Sequence, residues 1–317
     1  MIRTGPVRIF PARLAMAIGV SWAAAASPAA AQDYALRELL IDGEGWVKVS
    51  EGHKFTEGPA VDAKGDLYFS DIPNNRIHKL DVVSGAVSVF RENTGGANGL
   101  MFDAKGRLLA CQGGKGRVVA FNPDGTETEI ASTGGKPNDL VIAPDGGIYF
   151  TDLPQKKVCR VAPDGKLTVL DDGLAAPNGL ILLPDAATLV VADSLGRHLW
   201  TFPVRHDGTV GPRLGTYTLR LTAAHEKTGR SGADGMTVDS LGRLYVATIA
   251  GLQVFDPTGR EVGLILKPTG HEGKPLSNVC FAGPGPQRDT LYVTLGDTVW
   301  KRKVRAAGVN WPGGARK

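Results

Sequence analysis

A stretch of about forty residues recurs six times along the chain, opening at Glu57-Gly58-Pro59, Asn98-Gly99-Leu100, Asn138-Asp139-Leu140, Asn178-Gly179-Leu180, Asp234-Gly235-Met236 and Asn278-Val279-Cys280. Successive openings lie 41, 40, 40, 56 and 44 residues apart. Self-similarity at this period marks a repeat architecture. Each unit continues with two apolar or β-branched runs around a glycine-containing turn, as in Val141-Ile142-Ala143-Pro144-Asp145-Gly146-Gly147-Ile148-Tyr149-Phe150, which reads as a hairpin. A third run, such as Arg117-Val118-Val119-Ala120-Phe121, and a fourth beyond an Asp-Gly turn complete the unit. Four short antiparallel strands per unit make a propeller blade, so the sequence predicts an all-β, six-bladed β-propeller. The last unit has only three runs, and residues 46–49 supply its missing outer strand, closing the ring with an N-terminal strand and leaving no open edge. Residues 32–317 are thus expected to form a single propeller domain. An open solenoid would need polar caps, and none is evident.

The composition agrees with many tight turns. The 317 residues include 42 Gly and 20 Pro, too many for a helical protein yet without the three-residue period of collagen. Much of the glycine sits in the hairpin turns or directly after the opening residues, where a small neighbour lets strands crowd a narrow axis.

Residues 1–31 read as a cleaved signal peptide. Arg3, Arg8 and Arg13 precede an apolar stretch over 14–26, and Ser27-Pro28-Ala29-Ala30-Ala31 suits cleavage before Gln32. The expected product is periplasmic or secreted, with no membrane association after cleavage. Setting the three leader arginines aside lowers the formal charge from +4 to +1, so no basic stripe remains for nucleic acid. Cys111, Cys159 and Cys280 are odd in number and widely spaced, which reads as buried thiols rather than a disulfide framework or zinc knuckle.

In a propeller the first strand of each blade lines the central channel, so Glu57, Asn98, Asn138, Asn178, Asp234 and Asn278 should converge at one mouth. Two carboxylates and four amides offer hard oxygen donors, which favour Ca²⁺ and also admit Mg²⁺ or Mn²⁺, with Zn²⁺ less natural. The same residue types would suit a water-filled channel or simple strand-start turns. Acidic residues at only two of six equivalent positions argue for a site built asymmetrically on a symmetric scaffold. Asp71, Asp152 and Asp193 close the second strands of blades one, three and four, where they either support the channel residues or form turns.

Thr56-Glu57-Gly58-Pro59, Lys136-Pro137-Asn138-Asp139-Leu140, Pro177-Asn178-Gly179-Leu180 and Ala233-Asp234-Gly235-Met236 resemble, in order and at blade spacing, the motifs of the regucalcin/gluconolactonase (senescence marker protein) family of propeller lactonases. The resemblance covers essentially residues 50–305. It implies one divalent metal held by Glu57, Asn178 and Asp234, with Asp234 also the proton acceptor and Asn138 contacting substrate or a ligand water. It further implies hydrolysis of a small-molecule lactone to a hydroxy acid, the metal polarising the carbonyl and activating water. Lys136, Asn138, Asn98 and Asn278 are the expected substrate contacts. Phosphotriester hydrolysis at the same site and a non-catalytic ligand-binding propeller are the alternatives.

Two departures from the family pattern bear on substrate choice. Lys136 stands where regucalcin-like members carry Arg, a point charge in place of a bidentate fork. The stretched interval before blade five adds a segment, about Arg205 to Gly232, that contains His206, His225 and Glu226 and is expected to overhang the site. No Gly-x-Ser-x-Gly elbow occurs, which removes a serine-hydrolase route. His78 and His198 read as ordinary strand residues, and His53 as a loop residue near the mouth.

Overall fold

The computed structural model describes residues 35–283 and 287–309, with the single positions 1 and 5; the expected cleavage site and nearly all of the leader lie outside the described residues. Twenty-four strands among them form six sheets of four antiparallel strands. The inner strands are Thr56–Val61, Ala97–Phe102, Pro137–Ile142, Pro177–Leu182, Met236–Val238 and Leu276–Phe281. Each packs against the inner strand of the next blade, and the last returns to the first. The expected propeller is what the chain forms.

Ring closure follows the expected route. Val47–Ser50 pairs antiparallel with Thr298–Lys303 at the outside of blade six, with Val47 opposite Lys301 and Lys48 opposite Trp300. One sheet therefore contains strands from both ends of the chain.

The alternation within each blade explains the core. Inner and second strands are buried on both faces, as in Leu108–Gln112 or Ile148–Asp152, whereas outer strands such as Val87–Glu92 are largely exposed; that of blade five, Glu261–Ile265, is mostly buried. Leucine, isoleucine, valine and phenylalanine from adjoining sheets fill the wedge between blades, with Tyr149, Tyr217, Tyr245 and Tyr292 fully buried among them. Burial of this apolar surface supplies the driving force, about 25 cal/mol per Å². All three cysteines lie within this strand core, and none forms a disulfide among the described residues.

Candidate site at the channel mouth

The inner strands do not run as regular ladders. In blades one to four the pairing gains a residue just past the opening position: Glu57 faces Ser70 but Ala60 faces Tyr68, and Pro137 faces Asp152 but Leu140 faces Phe150. Blades two and four repeat the shift. A bulge of this kind bends the strand and re-aims the side chain at the extra residue. In blade five the departure is larger, since Asp234 lies two residues ahead of its strand, its N–H bonded to the carbonyl of Ala247 at 2.9 Å.

Neighbouring openings are in direct contact around the axis. An ideal Cβ on Gly58 would lie 3.0 Å from the Asn98 carbonyl carbon, and one on Gly99 would lie 2.6 Å from Asp139 Cα. At Gly179 it would meet Gly235 Cα at 2.6 Å and the Asp234 carbonyl carbon at 2.7 Å. At Gly235 it would run into the side-chain amide of Asn278. Four glycines thus sit where the backbone or opening side chain of the next blade occupies the space of a side chain, and this crowding brings the six opening residues together.

Hydrogen bonds join them further. Asn98 Nδ2 donates to Asn138 Oδ1, and Asn138 Nδ2 donates to Asn178 Oδ1. Asn178 Nδ2 donates to Ser194 Oγ at 3.0 Å, and that hydroxyl donates to the Ala233 carbonyl at 2.6 Å. Ser194 therefore fixes the Asn178 amide with its oxygen turned toward the ring. Across the axis, Glu57 Oε2 accepts from Gly58 N at 2.9 Å and from Asn278 Nδ2 at 3.1 Å, while Asn278 Oδ1 accepts from Val279 N at 2.9 Å. Asn278 is 1% exposed, so the structure places it as a brace for Glu57. Glu57 and Asn178 are themselves buried, and Asp234 is half-buried.

A cavity of about 370 Å³ opens beside the ring, lined by Asn178, Asp234, Ser194, Leu195, Arg230 and Ile249 among others. Of the ring residues, Asn178 and Asp234 line this cavity; with the Glu57 carboxylate elsewhere in the ring they make a set of hard oxygen donors, without thiol or imidazole, that fits a divalent cation. Ser194 and Arg230 went unrecognised in the sequence. Ser194 directly follows Asp193 at the end of its strand, and Asp193 pairs opposite Pro177, next to Asn178.

The stretched segment divides. Residues 219–232 run along the mouth: Gly232 N bonds the Ser194 carbonyl at 3.0 Å, Ser231 N bonds that of Gly196 at 3.2 Å, and Glu226 pairs with Arg197 at 3.4 Å. Residues 204–210 instead form a turn on the opposite face of the propeller, against blade three, where the Gly208 carbonyl accepts from Tyr149 Oη at 2.8 Å. The expectation that the whole segment overhangs the mouth is corrected accordingly, because the fourth strand of blade four, Leu214–Thr218, lies between its halves.

Asp71, Asp152 and Asp193 share one geometry. Asp71 Oδ1 accepts from Lys54 and Phe55 N–H, Asp152 Oδ2 from Lys136 N–H at 2.8 Å, and Asp193 from Ala175 and Ala176 N–H. Each carboxylate holds the backbone two or three residues ahead of Glu57, Asn138 or Asn178. Lys136 itself is exposed at the rim.

One finding lies outside the ring. His53, Asp71 and His78 present ligand atoms within 4.8 Å of one another, the one such group of histidine, cysteine and acidic side chains among the described residues. Burial lowers the pKa of both imidazoles, against the opposing pull of Asp71.

Fold and site together define a six-bladed propeller whose bulged inner strands bring oxygen donors to one channel mouth. The profile of the SMP-30/Gluconolactonase/LRE-like region matches residues 55–297, and the chain belongs to this family. It is similar to a gluconolactonase of Zymomonas mobilis, 28% identical over 293 residues that cover 80% of each chain. Pentonolactonase XacC of Haloferax volcanii is 30% identical over 240 residues, 72% of this chain and 76% of that one. The solved structure of a gluconolactonase from Xanthomonas campestris superimposes with a TM-score of 0.73 at 28% identity, covering 85% of this chain and 92% of the other.

Proposed function

We propose that the channel mouth hydrolyses a lactone, a sugar lactone or a close relative, with a divalent cation, Ca²⁺ in preference, held by Glu57, Asn178 and Asp234. The observation that carries this reading is that Asn178 and Asp234 line one cavity, with the buried Glu57 held by Asn278 at another opening of the same ring, in a chain of this family. The names of the relatives, which open gluconolactone or pentonolactone rings, support the substrate class.

When bound, the cation supplies Lewis acidity toward the lactone carbonyl and lowers the pKa of a water. The chain's own residues do the rest. Asp234 borders the cavity, so its carboxylate accepts the proton of the attacking water and returns it to the departing ring oxygen. Asn138 donates one N–H to Asn178 and has a second to offer the carbonyl oxygen as negative charge develops there. Lys136 at the rim meets substrate hydroxyls or a carboxylate, and Asn98 holds Asn138 in place. Leu195 and Ile249 give the cavity an apolar wall. The leader composition supports export, so this chemistry takes place in the periplasm or outside the cell.

The test is a pH-indicator assay of the purified protein on aldonolactones, aromatic lactones and phosphotriesters, with and without chelator. Lactone opening that stops on chelation and returns with Ca²⁺ is the expected result. Turnover of phosphotriesters alone, or lactone opening indifferent to chelation, would overturn the reading.

A further inference from the structure

We propose a second metal site, separate from the channel mouth, in which His53 Nδ1, His78 Nε2 and Asp71 Oδ2 bind one ion of the zinc class. His53 Nδ1 lies 3.5 Å and His78 Nε2 3.8 Å from Asp71 Oδ2. Bonds of about 2.0–2.1 Å to a tetrahedral zinc put neighbouring ligand atoms about 3.3–3.4 Å apart, so shifts of about half an ångström bring these two pairs to bonding geometry. The side chains of His53, Asp71 and His78 are only 6%, 1% and 11% exposed.

His78 Nε2 is the informative atom. It is buried and has no hydrogen-bond partner, and 3.8 Å from a carboxylate is too long to count as a bond. Buried polar atoms are nearly always satisfied, so an orphan aimed at a carboxylate and a second imidazole calls for a missing ligand. The surrounding groups are those that orient metal ligands. Ser50 Oγ lies 2.6 Å from His53 Nε2, which leaves Nδ1 facing the cluster. Asn74 Nδ2 donates to Asp71 Oδ2 at 2.7 Å, and two backbone N–H groups hold Oδ1. Phe69 stacks on His78 at 5.3 Å and meets His53 edge-on at 5.0 Å, giving the site an apolar wall.

The donor set separates this site from the channel. Two imidazoles and one carboxylate suit Zn²⁺, whereas the ring of carboxylate and amide oxygens suits Ca²⁺. Its place also defines its effect. His53 lies on the passage from the closing strand of blade six, which ends at Ser50, to the inner strand that carries Glu57; Asp71 and His78 belong to the second and third strands of blade one. An ion here clips the closure of the ring to blade one, four residues ahead of Glu57.

The test is calorimetric titration of Zn²⁺ into tag-free protein held in excess Ca²⁺, which occupies the channel mouth. The expected stoichiometry is one Zn²⁺ per chain, kept in Asp234→Asn. His53→Gln and His78→Gln should weaken binding by about 100-fold or more, and Ser50→Ala by about 10-fold. Zinc-edge X-ray absorption on the unsubstituted protein, which needs no variant to fold, should show two imidazoles on the ion. Absence of Zn²⁺ binding, binding undiminished in both histidine variants, or an all-oxygen shell would each overturn the proposal.

Discussion

Replacing Gly179 with alanine asks whether crowding between blades four and five is what holds Asn178 beside Asp234. The added Cβ would stand 2.6 Å from Gly235 Cα and 2.7 Å from the Asp234 carbonyl carbon, both backbone atoms that no rotamer change can move. Gly179 is not among the positive-φ residues, so the penalty is steric alone. Overpacking costs about 1–3 kcal/mol, and a rigid partner puts this case at about 3 kcal/mol. At about 2 °C per kcal/mol for a domain of this size, the melting temperature should fall by about 6 °C. Gly125→Ala is the matched control: it has φ of +84° but nothing within 4 Å of its Cβ, so only the backbone term of about 1–2 kcal/mol applies. Thermal melts by circular dichroism and calorimetric Ca²⁺ titrations read both effects. Gly179→Ala should also weaken Ca²⁺ binding at least about 10-fold as Asn178 and Asp234 are pushed apart, while Gly125→Ala leaves it unchanged. A Gly179→Ala protein that melts with or above the control and binds Ca²⁺ normally would refute the crowding argument.

Three further outcomes follow from particular contacts. Ser194→Ala removes the hydroxyl between Asn178 and the Ala233 carbonyl, so Ca²⁺ affinity should drop about 10-fold in calorimetry, and an unchanged affinity would deny Ser194 its orienting role. Arg243 bonds the fully buried Asp239 carboxylate at 2.6 Å, which also accepts from Tyr245 Oη at 3.0 Å. Arg243→Met should therefore destabilise by about 3 kcal/mol in denaturant melts, with much of the loss recovered in the Asp239→Asn/Arg243→Met double variant; a double variant no better than the single would contradict this. Burial of all three cysteines, with the Cys159 thiol pushed up to about 11, should leave the native protein unlabelled by iodoacetamide near pH ~8 and give three labels after denaturation; native labelling would contradict their placement.

The repeat made the fold legible because a blade cannot bury its faces alone, so turn chemistry and apolar runs recur at every unit. The closing strand was visible for the same reason: Val47 and its neighbours answered a shortfall of one strand at Thr298–Lys303. The channel residues were legible as a set because each blade opens on one of them. Their aim was not, since it depends on bulges such as the one between Glu57 and Ala60, which regular alternation does not encode. Ser194 and Arg230 escaped notice because they come from connecting loops whose course is set by tertiary contacts. His53 and His78 lie 25 positions apart and read singly as ordinary residues; only the pairing of Phe69 with His78 and the path of the loop from Ser50 bring them onto Asp71.

The central claim is that Glu57, Asn178 and Asp234 hold the cation on which lactone opening depends, with Asp234 also moving the proton. It is tested most directly by measuring bound Ca²⁺ and aldonolactone turnover on the same preparation of Asp234→Asn, with Ca²⁺ raised until any residual site fills. The account predicts weakened Ca²⁺ binding and turnover that stays lost after the site is filled, because the amide cannot accept the proton. Full turnover at saturating Ca²⁺ would contradict the proton role, and unchanged Ca²⁺ binding would contradict the ligand role.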